Sequence, residues 1–206
     1  MVTKNSLGKI LSELEGFENP EVRLEQYITP SEIASDFLWF CYMQGDIKNK
    51  VIADFGCGTG ILGIGALLLG AKKIYFVDKS TNALEIAKKN FNSLKLDKKK
   101  AIFLGCDINK FKSNVDTVIE NPPFGVKKEH ADKNFLEQAI KITDNIYSFH
   151  KIESGEFIKK FSKDNGFDSK IIFIFNFPLK LSMKYHTKEV KKIKVGVWKL
   201  ERKIIF

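Results

Sequence analysis

With 206 residues, 44% of them hydrophobic, and a mean hydropathy of −0.16, the chain is long enough for one domain with a full core and too polar for a membrane protein. Its longest apolar run, 61–71, falls well short of the roughly 20 residues a membrane span needs, and its start, MVTKNSLGKI, has no signal-peptide core, so a cytoplasmic protein is expected. The formal net charge of +9 rests almost wholly on lysine, since only Arg23 and Arg202 are arginines; it suits a polyanion gripped through phosphate, although a lysine-rich proteome would produce the same balance.

Three scattered cysteines, Cys41, Cys57 and Cys106, do not make a disulfide framework. His130, His150 and His186 are isolated, so no metal is expected and each is read as a surface or packing residue.

Residues 1–20 carry Leu7, Ile10, Leu11 and Leu14 at helical spacing, and Pro20 closes that segment. LEQYITP, 24–30, reads as a loop, after which Ser31 caps a helix through Phe40. From Lys50 onward strands and helices alternate. VIADFG, KIYFVD, AIFLGCD and 115–120 are the first four strands. Between them lie the helices TGILGIGALLLG, ended by Gly70, and STNALEIAKKNFNSL, capped by Ser80. Asp132 caps a helix running to about Asn145, IYSFH is a short fifth strand, and ESGEFIKKFSKDNG is a helix ended by Gly166. SKIIFIFNF and IKVGVWKLERKIIF are the last two strands. Such alternation predicts a mostly parallel sheet of seven strands with helices on both faces. The last two strands have no helix between them, so they are expected to pair antiparallel at an edge. The whole chain reads as a single domain, 1–206, in which a short helical extension with a loop, 1–49, precedes an alternating core, 50–206.

DFGCGTG, Asp54 to Gly60, links the first strand to its helix. Glycines at the carboxyl end of a parallel strand let the backbone approach a ligand closely. Gly58, Gly60 and Gly63 spell the dinucleotide fingerprint, but a lone match of that kind is weak. Asp54 and Gly56 extend it backward into D-x-G-x-G-x-G, which, with NPPF after the fourth strand, points away from NAD and toward S-adenosylmethionine. Asp78 ends the second strand at the spacing of a carboxylate that takes ribose hydroxyls. The bland alternative makes it part of the cap beside Ser80. Asp107, just beyond the third strand, could accept from an adenine amine.

The fourth strand ends on Asn121, Pro122, Pro123 and Phe124. Proline cannot continue a central strand, and the residue before it is pushed into an extended conformation. The result is a stiff shelf. The Asn121 side-chain oxygen and the Pro122 carbonyl could accept both N–H bonds of one exocyclic amine, and Phe124 offers a face for a stacked nucleobase. A plain turn with a core phenylalanine is the alternative.

Asp54 to Gly60 together with Asn121 to Phe124 resembles the class I, Rossmann-like S-adenosylmethionine-dependent methyltransferases of planar amines. LEQYITP, VIADFGCGTGILGIGALLLGA, VIENPPFGVKK and YSFHK resemble, more closely, the methyltransferase-like protein five family, nearly end to end. The glycine and NPPF motifs are shared across the superfamily; EQY-x-T, NPPFG and YS-x-HK are much more specific. The resemblance implies transfer of a methyl group to the N6 amine of an adenosine in small-subunit ribosomal RNA. It implies that Gln26 and Thr29 help enclose the cofactor, with Gly56, Thr59, Ile61, Asp78, Asp107 and Ile108 around it, and Asp54, Gly58 and Gly60 of the glycine motif together with Asn121 complete the expected cofactor-binding set. It also implies a possible partner, a small zinc-binding activator protein that joins a sheet edge. Two departures stand out. Thr59 stands in a glycine-rich turn position where relatives can differ, and it is expected to be tolerated. Glu120 is acidic where an apolar residue is expected, and it faces either the cationic cofactor or, by preference, solvent.

RNA contacts are expected at Lys127 and Lys128 after the shelf, and in KYHTKEVKKIK at Lys184, Tyr185, His186, Lys188 and Lys191, where stacking and phosphate contacts can combine. Methylation of guanine N2 or of a protein glutamine uses the same two-donor logic and stays open. A glutamine methyltransferase normally has a sizeable helical domain ahead of its core. A non-catalytic RNA-binding protein on this fold is the third reading, disfavoured because the glycines, Asp78, Asn121 and Pro122 are all kept.

Overall fold

The protein's architecture comes from a computed structural model that describes residues 2–17, 26–124, 131–180 and 190–203. Among these residues six α-helices and seven strands follow in the order α1 (Lys4–Ser12), α2 (Ser31–Met43), β1 (Val51–Phe55), α3 (Ile61–Leu68), β2 (Lys73–Asp78), α4 (Thr81–Ser93), β3 (Ala101–Gly105), β4 (Thr117–Glu120), α5 (Ala131–Ala139), β5 (Asn145–Lys151), α6 (Gly155–Asp164), β6 (Phe167–Lys180) and β7 (Val190–Arg202). The strands form one sheet in the order β3-β2-β1-β4-β5-β7-β6. All the pairings from β3 to β5 are parallel, and β7 runs antiparallel to both β5 and β6. The antiparallel C-terminal strand therefore lies one place in from the edge expected for it, and β6 forms that edge. A hairpin that returns alongside β5 buries Val195, Val197, Trp198 and Leu200 on β7. At the edge their side chains would have met fewer neighbours.

Alternation along each strand divides the core in two. Ile52 and Ile119 pack with Leu7, Leu11, Phe37, Leu38, Ile64 and Phe91 on the side of α1 to α4. Ala53, Phe55 and Val118 pack with Leu136, Ile158 and Trp198 on the side of α5 and α6.

Several boundaries differ from expectation for local reasons. Helix α1 starts after Thr3, whose hydroxyl accepts from the Ser6 amide at 3.2 Å while Ser6 Oγ accepts from the Thr3 amide at 2.8 Å. It ends at Ser12, well before Pro20, which lies outside the described residues. Pro30, not Ser31, occupies the cap position of α2, and the helix continues to Met43. Asp132 sits in the first turn of α5 rather than capping it, and that helix stops at Ala139. Ser80 caps α4 as expected, accepting from the Ala83 amide at 3.3 Å. Among the described residues no helix is long and apolar enough to cross a membrane.

Below the sheet, Lys199 of β7 is 5% exposed and pairs with Asp46 at 3.1 Å and Glu201 at 2.7 Å. Tyr147 donates to the same Asp46 carboxylate at 2.6 Å. Replacing Lys199 with Met would leave Asp46 partly buried without its cation. A loss of about 2–3 kcal/mol is expected, below the range for a fully buried pair because Asp46 keeps some solvent. Thermal unfolding should show it as a melting point lower by roughly 5–10 °C; an unchanged melting point would mean the pair contributes nothing.

Candidate active site

The cleft opens over the carboxyl ends of β1, β2 and β4. The sheet order reverses between β1 and β4, the switch point at which open parallel sheets place their ligands. The cleft encloses about 170 Å³. Gln26, Gly56, Gly58, Asp78, Asp107, Ile108, Asn121 and Pro123, all singled out from sequence, line it. Tyr27, part of the EQY-x-T motif, lines it as well, as do Phe17, Lys79, Asn109, Asn134 and Phe135, which had no sequence signal of their own.

The glycine turn is anchored to β2. The amides of Gly56 and Cys57 donate to the Val77 carbonyl at 2.8 and 3.1 Å. Gly56 and Gly58 have φ of +62° and +53°, a region that side-chain-bearing residues rarely occupy. A Cβ on Gly56 would also lie 3.0 Å from Phe135, so the cleft wall needs the bare backbone. Asp78 receives the Gly58 amide at 2.9 Å and the Ser80 amide at 2.8 Å. Asp78 thus orders the turn and the helix start, and it also borders the cleft. Burial raises its pKa despite those two donors. Asp107 Oδ1 takes the backbone and side-chain N–H groups of Asn109, each at 2.9 Å.

Asp54 is buried behind the turn. Its Oδ2 accepts from the Gly63 amide at 2.8 Å, and burial pushes its pKa up to about 8. It therefore braces α3 rather than lining the cleft. Thr59, Gly60 and Ile61 do not line the cleft either. Thr59 is buried, and its carbonyl accepts from Asn90 of α4 at 3.0 Å. Gly60 packs on Ala87. Thr59, Ile61 and Thr29 border a second, more apolar cavity of about 220 Å³ beneath the end of α1. The turn faces two ways, and the residues after Gly58 belong to its far side.

At the end of β4, Asn121 Nδ2 donates to Thr29 Oγ1 at 3.0 Å, while Asn121 Oδ1 is buried without a partner. Thr29 reaches the shelf across 92 residues of sequence, so its contact is with Asn121. Phe124 departs from expectation. It is 5% exposed, stacked on Tyr27 at 5.8 Å and set edge-on to Phe177 at 5.4 Å. Its ring is core, and the aromatic side chains that border the cleft are Phe17, Tyr27 and Phe135.

Glu120 faces neither cofactor nor solvent. It is fully buried on the α5 side of the sheet. Ser148 Oγ lies 2.7 Å from its Oε1 and 2.7 Å from His150 Nε2, and His150 Nδ1 lies 3.2 Å from Asp132 Oδ2. Burial pushes the Glu120 pKa up to about 8. Burial opposes ionisation of Asp132 too, but the hydrogen bond to His150 holds its pKa below the usual value. His150, read from sequence as isolated, is bonded on both ring nitrogens.

The expected RNA contacts at Lys127, Lys128, Lys184, Tyr185, His186 and Lys188 lie outside the described residues, as does the side chain of Lys191.

Comparison with known proteins agrees with this geometry. The family model for the methyltransferase small domain matches residues 32–145. The rRNA N(6)-adenosine-methyltransferase METTL5 of Danio rerio is 35% identical over 92% of this chain and 94% of its own length. Its counterpart in Drosophila melanogaster is 32% identical over 95% and 94%. A crystal structure from Pyrococcus horikoshii, described as a candidate RNA methyltransferase, superposes with a TM-score of 0.90 at 41% identity, covering 99% of this chain and 100% of that one. The chain belongs to the methyltransferase small domain family, in the group that contains the rRNA N(6)-adenosine-methyltransferases.

Proposed function

We propose that this protein methylates the exocyclic N6 amine of an adenosine in small-subunit ribosomal RNA, using S-adenosylmethionine. The observation that carries the reading is the Asn121 amide, clamped by Thr29 at its nitrogen and holding an unpartnered buried oxygen at the end of β4. Relatives named for that reaction match the chain over nearly its full length.

The cleft suits the cofactor. The turn at Gly56 and Gly58 leaves space that a Cβ would fill, Asp78 offers carboxylate oxygens for ribose hydroxyls, and Asp107 and Ile108 border the far end. When bound, S-adenosylmethionine supplies an electrophilic methyl group on a sulfonium. The chain's own part is positioning. Asn121 Oδ1 accepts one amine N–H and the Pro122 carbonyl the other, which aims the nitrogen lone pair along a single line. Attack by a neutral amine needs no base beforehand, and the spare proton leaves after transfer. Net charge and lysine content supply RNA affinity with little sequence readout.

Asp78→Ala should weaken S-adenosylhomocysteine binding about 10- to 100-fold, the effect of losing a charge-assisted hydrogen bond. Calorimetry measures this, and unchanged affinity would remove Asp78 from the site. The reaction itself is tested with labelled cofactor, unmodified small-subunit RNA and nucleoside mass spectrometry. N6-methyladenosine at one position is the expected product; N2-methylguanosine, or label on a release-factor protein alone, would overturn the reading. The partner we propose is a small zinc-binding activator that adds to a sheet edge. Edge strand β6 carries exposed Ile171 and Ile174, and transfer that rises on adding the activator is the expected result.

A further inference from the structure

Glu120 is the last residue of β4 and Asn121 follows it, and their side chains are engaged from different parts of the fold. Asn121 is held from the N-terminal side by Thr29. Glu120 is held from the other side by a line of contacts that runs through Ser148 and His150 of β5 to Asp132 in the first turn of α5. The same helix supplies Asn134 and Phe135 to the wall of the cleft that Asn121 lines. We propose that Glu120, Ser148, His150 and Asp132 form a positioning line that fixes the distance between the shelf at Asn121 and the cleft wall on α5. Only its kinetic consequence rests on the methyl-transfer reading.

Counting protons shows why the line has one working state. Three contacts join four side chains, and each contact needs one proton. The Ser148 hydroxyl has one. Two more come either from a protonated Glu120 with a neutral His150, or from an ionised Glu120 with an imidazolium. Glu120 Oε2 has no partner. A buried lone oxygen is tolerable on a neutral carboxyl and costly on an anion, so the first arrangement is the one occupied. Glu120 then donates to Ser148, Ser148 donates to His150 Nε2, and His150 Nδ1–H donates to the Asp132 carboxylate. Removing one proton leaves two for three contacts, and one pair of acceptors must part.

The charged groups facing Glu120 are Asp132 on α5 and Asp54 on β1, and His150 on β5 reaches it through Ser148. Both carboxylates oppose its ionisation. Opening of the line is therefore expected near pH 8.

The test compares wild type with Glu120→Gln and Glu120→Ala across about pH 6 to about pH 9.5. Glutamine donates to Ser148 permanently and cannot lose that proton. Wild-type kcat should fall about tenfold between pH 7 and pH 9, Glu120→Gln should abolish that fall, and Glu120→Ala should lower kcat at every pH with KM for the cofactor little changed. Identical profiles for wild type and Glu120→Gln, or a Gln variant as slow as Ala, would overturn the proposal. A second arm needs no RNA. In ¹⁵N-histidine spectra, assigned with His150→Gln, the ring signals of His150 should change with rising pH in wild type but not in Glu120→Gln. A His150 signal indifferent to the Glu120 substitution would also overturn the line. Wild type that methylates no RNA would sink the functional reading and leave the spectra to decide the line.

Discussion

Asn121→Ala should reduce methyl transfer by roughly 10²-fold or more while leaving S-adenosylhomocysteine affinity within a few fold. The amide lines the cleft at the end of β4, and Thr29 holds one end of it at 3.0 Å. Alanine removes the acceptor that orients the amine, along with the Thr29 contact, yet leaves the glycine turn, Asp78 and Asp107 untouched. Loss should therefore appear in kcat. Asn121→Asp separates acceptor from donor: it keeps an acceptor oxygen for the amine and loses the N–H that bonds Thr29. Single-turnover rates on saturating RNA decide the matter. Equal turnover by wild type and Asn121→Ala would end the shelf mechanism. A weakened cofactor instead would move Asn121 from the reacting centre to the cofactor cradle.

The second large effect is on stability against pH. Glu120 has an ordinary value of 4.5 and is pushed to about 8 in the fold, mainly by burial. Between those values the folded protein holds a proton that the unfolded chain has released. The stability this group contributes is complete below 4.5 and is lost as pH rises through 8. At about 1.4 kcal/mol per pH unit, that interval bounds the loss at about 5 kcal/mol. Asp54, pushed from 3.8 to about 8 mainly by burial, acts in the same direction. Denaturant unfolding at about pH 5, about pH 7 and about pH 9 should show wild type weakening steadily, with Glu120→Gln weakening less and the gap widest at the alkaline end. Parallel curves for the two proteins would show that Glu120 is not held neutral in the fold.

Much of the site was legible because its parts are local. D-x-G-x-G-x-G needs only its own backbone to turn at Gly56 and Gly58, and those residues border the cleft beside Asp78. The prolines after Asn121 stop β4 through their own covalent geometry. Phe124 shows the limit. Its position after the shelf suggests an open stacking face, but which side of an aromatic ring stays open depends on what packs there, and Tyr27 and Phe177 close it. Thr59 sits within the motif and Ile61 directly after it, yet both border the second cavity, and Asn90 of α4 holds the Thr59 carbonyl.

By itself the sequence determined the alternation of elements, the switch to an antiparallel strand at the C-terminus, the glycine turn and the proline-stiffened shelf. All of these follow from neighbours within a few residues and from the periods of strand and helix. Only the tertiary structure decided that β7 inserts between β5 and β6, that Thr29 meets Asn121, and that Phe135 walls the cleft. The same holds for Glu120, an out-of-place acid in the sequence and a fully buried, bonded carboxyl in the fold. Its neighbours Ser148, His150 and Asp132 come from another strand and a helix. Burial and protonation are properties of that assembled surrounding, and no local pattern carries them.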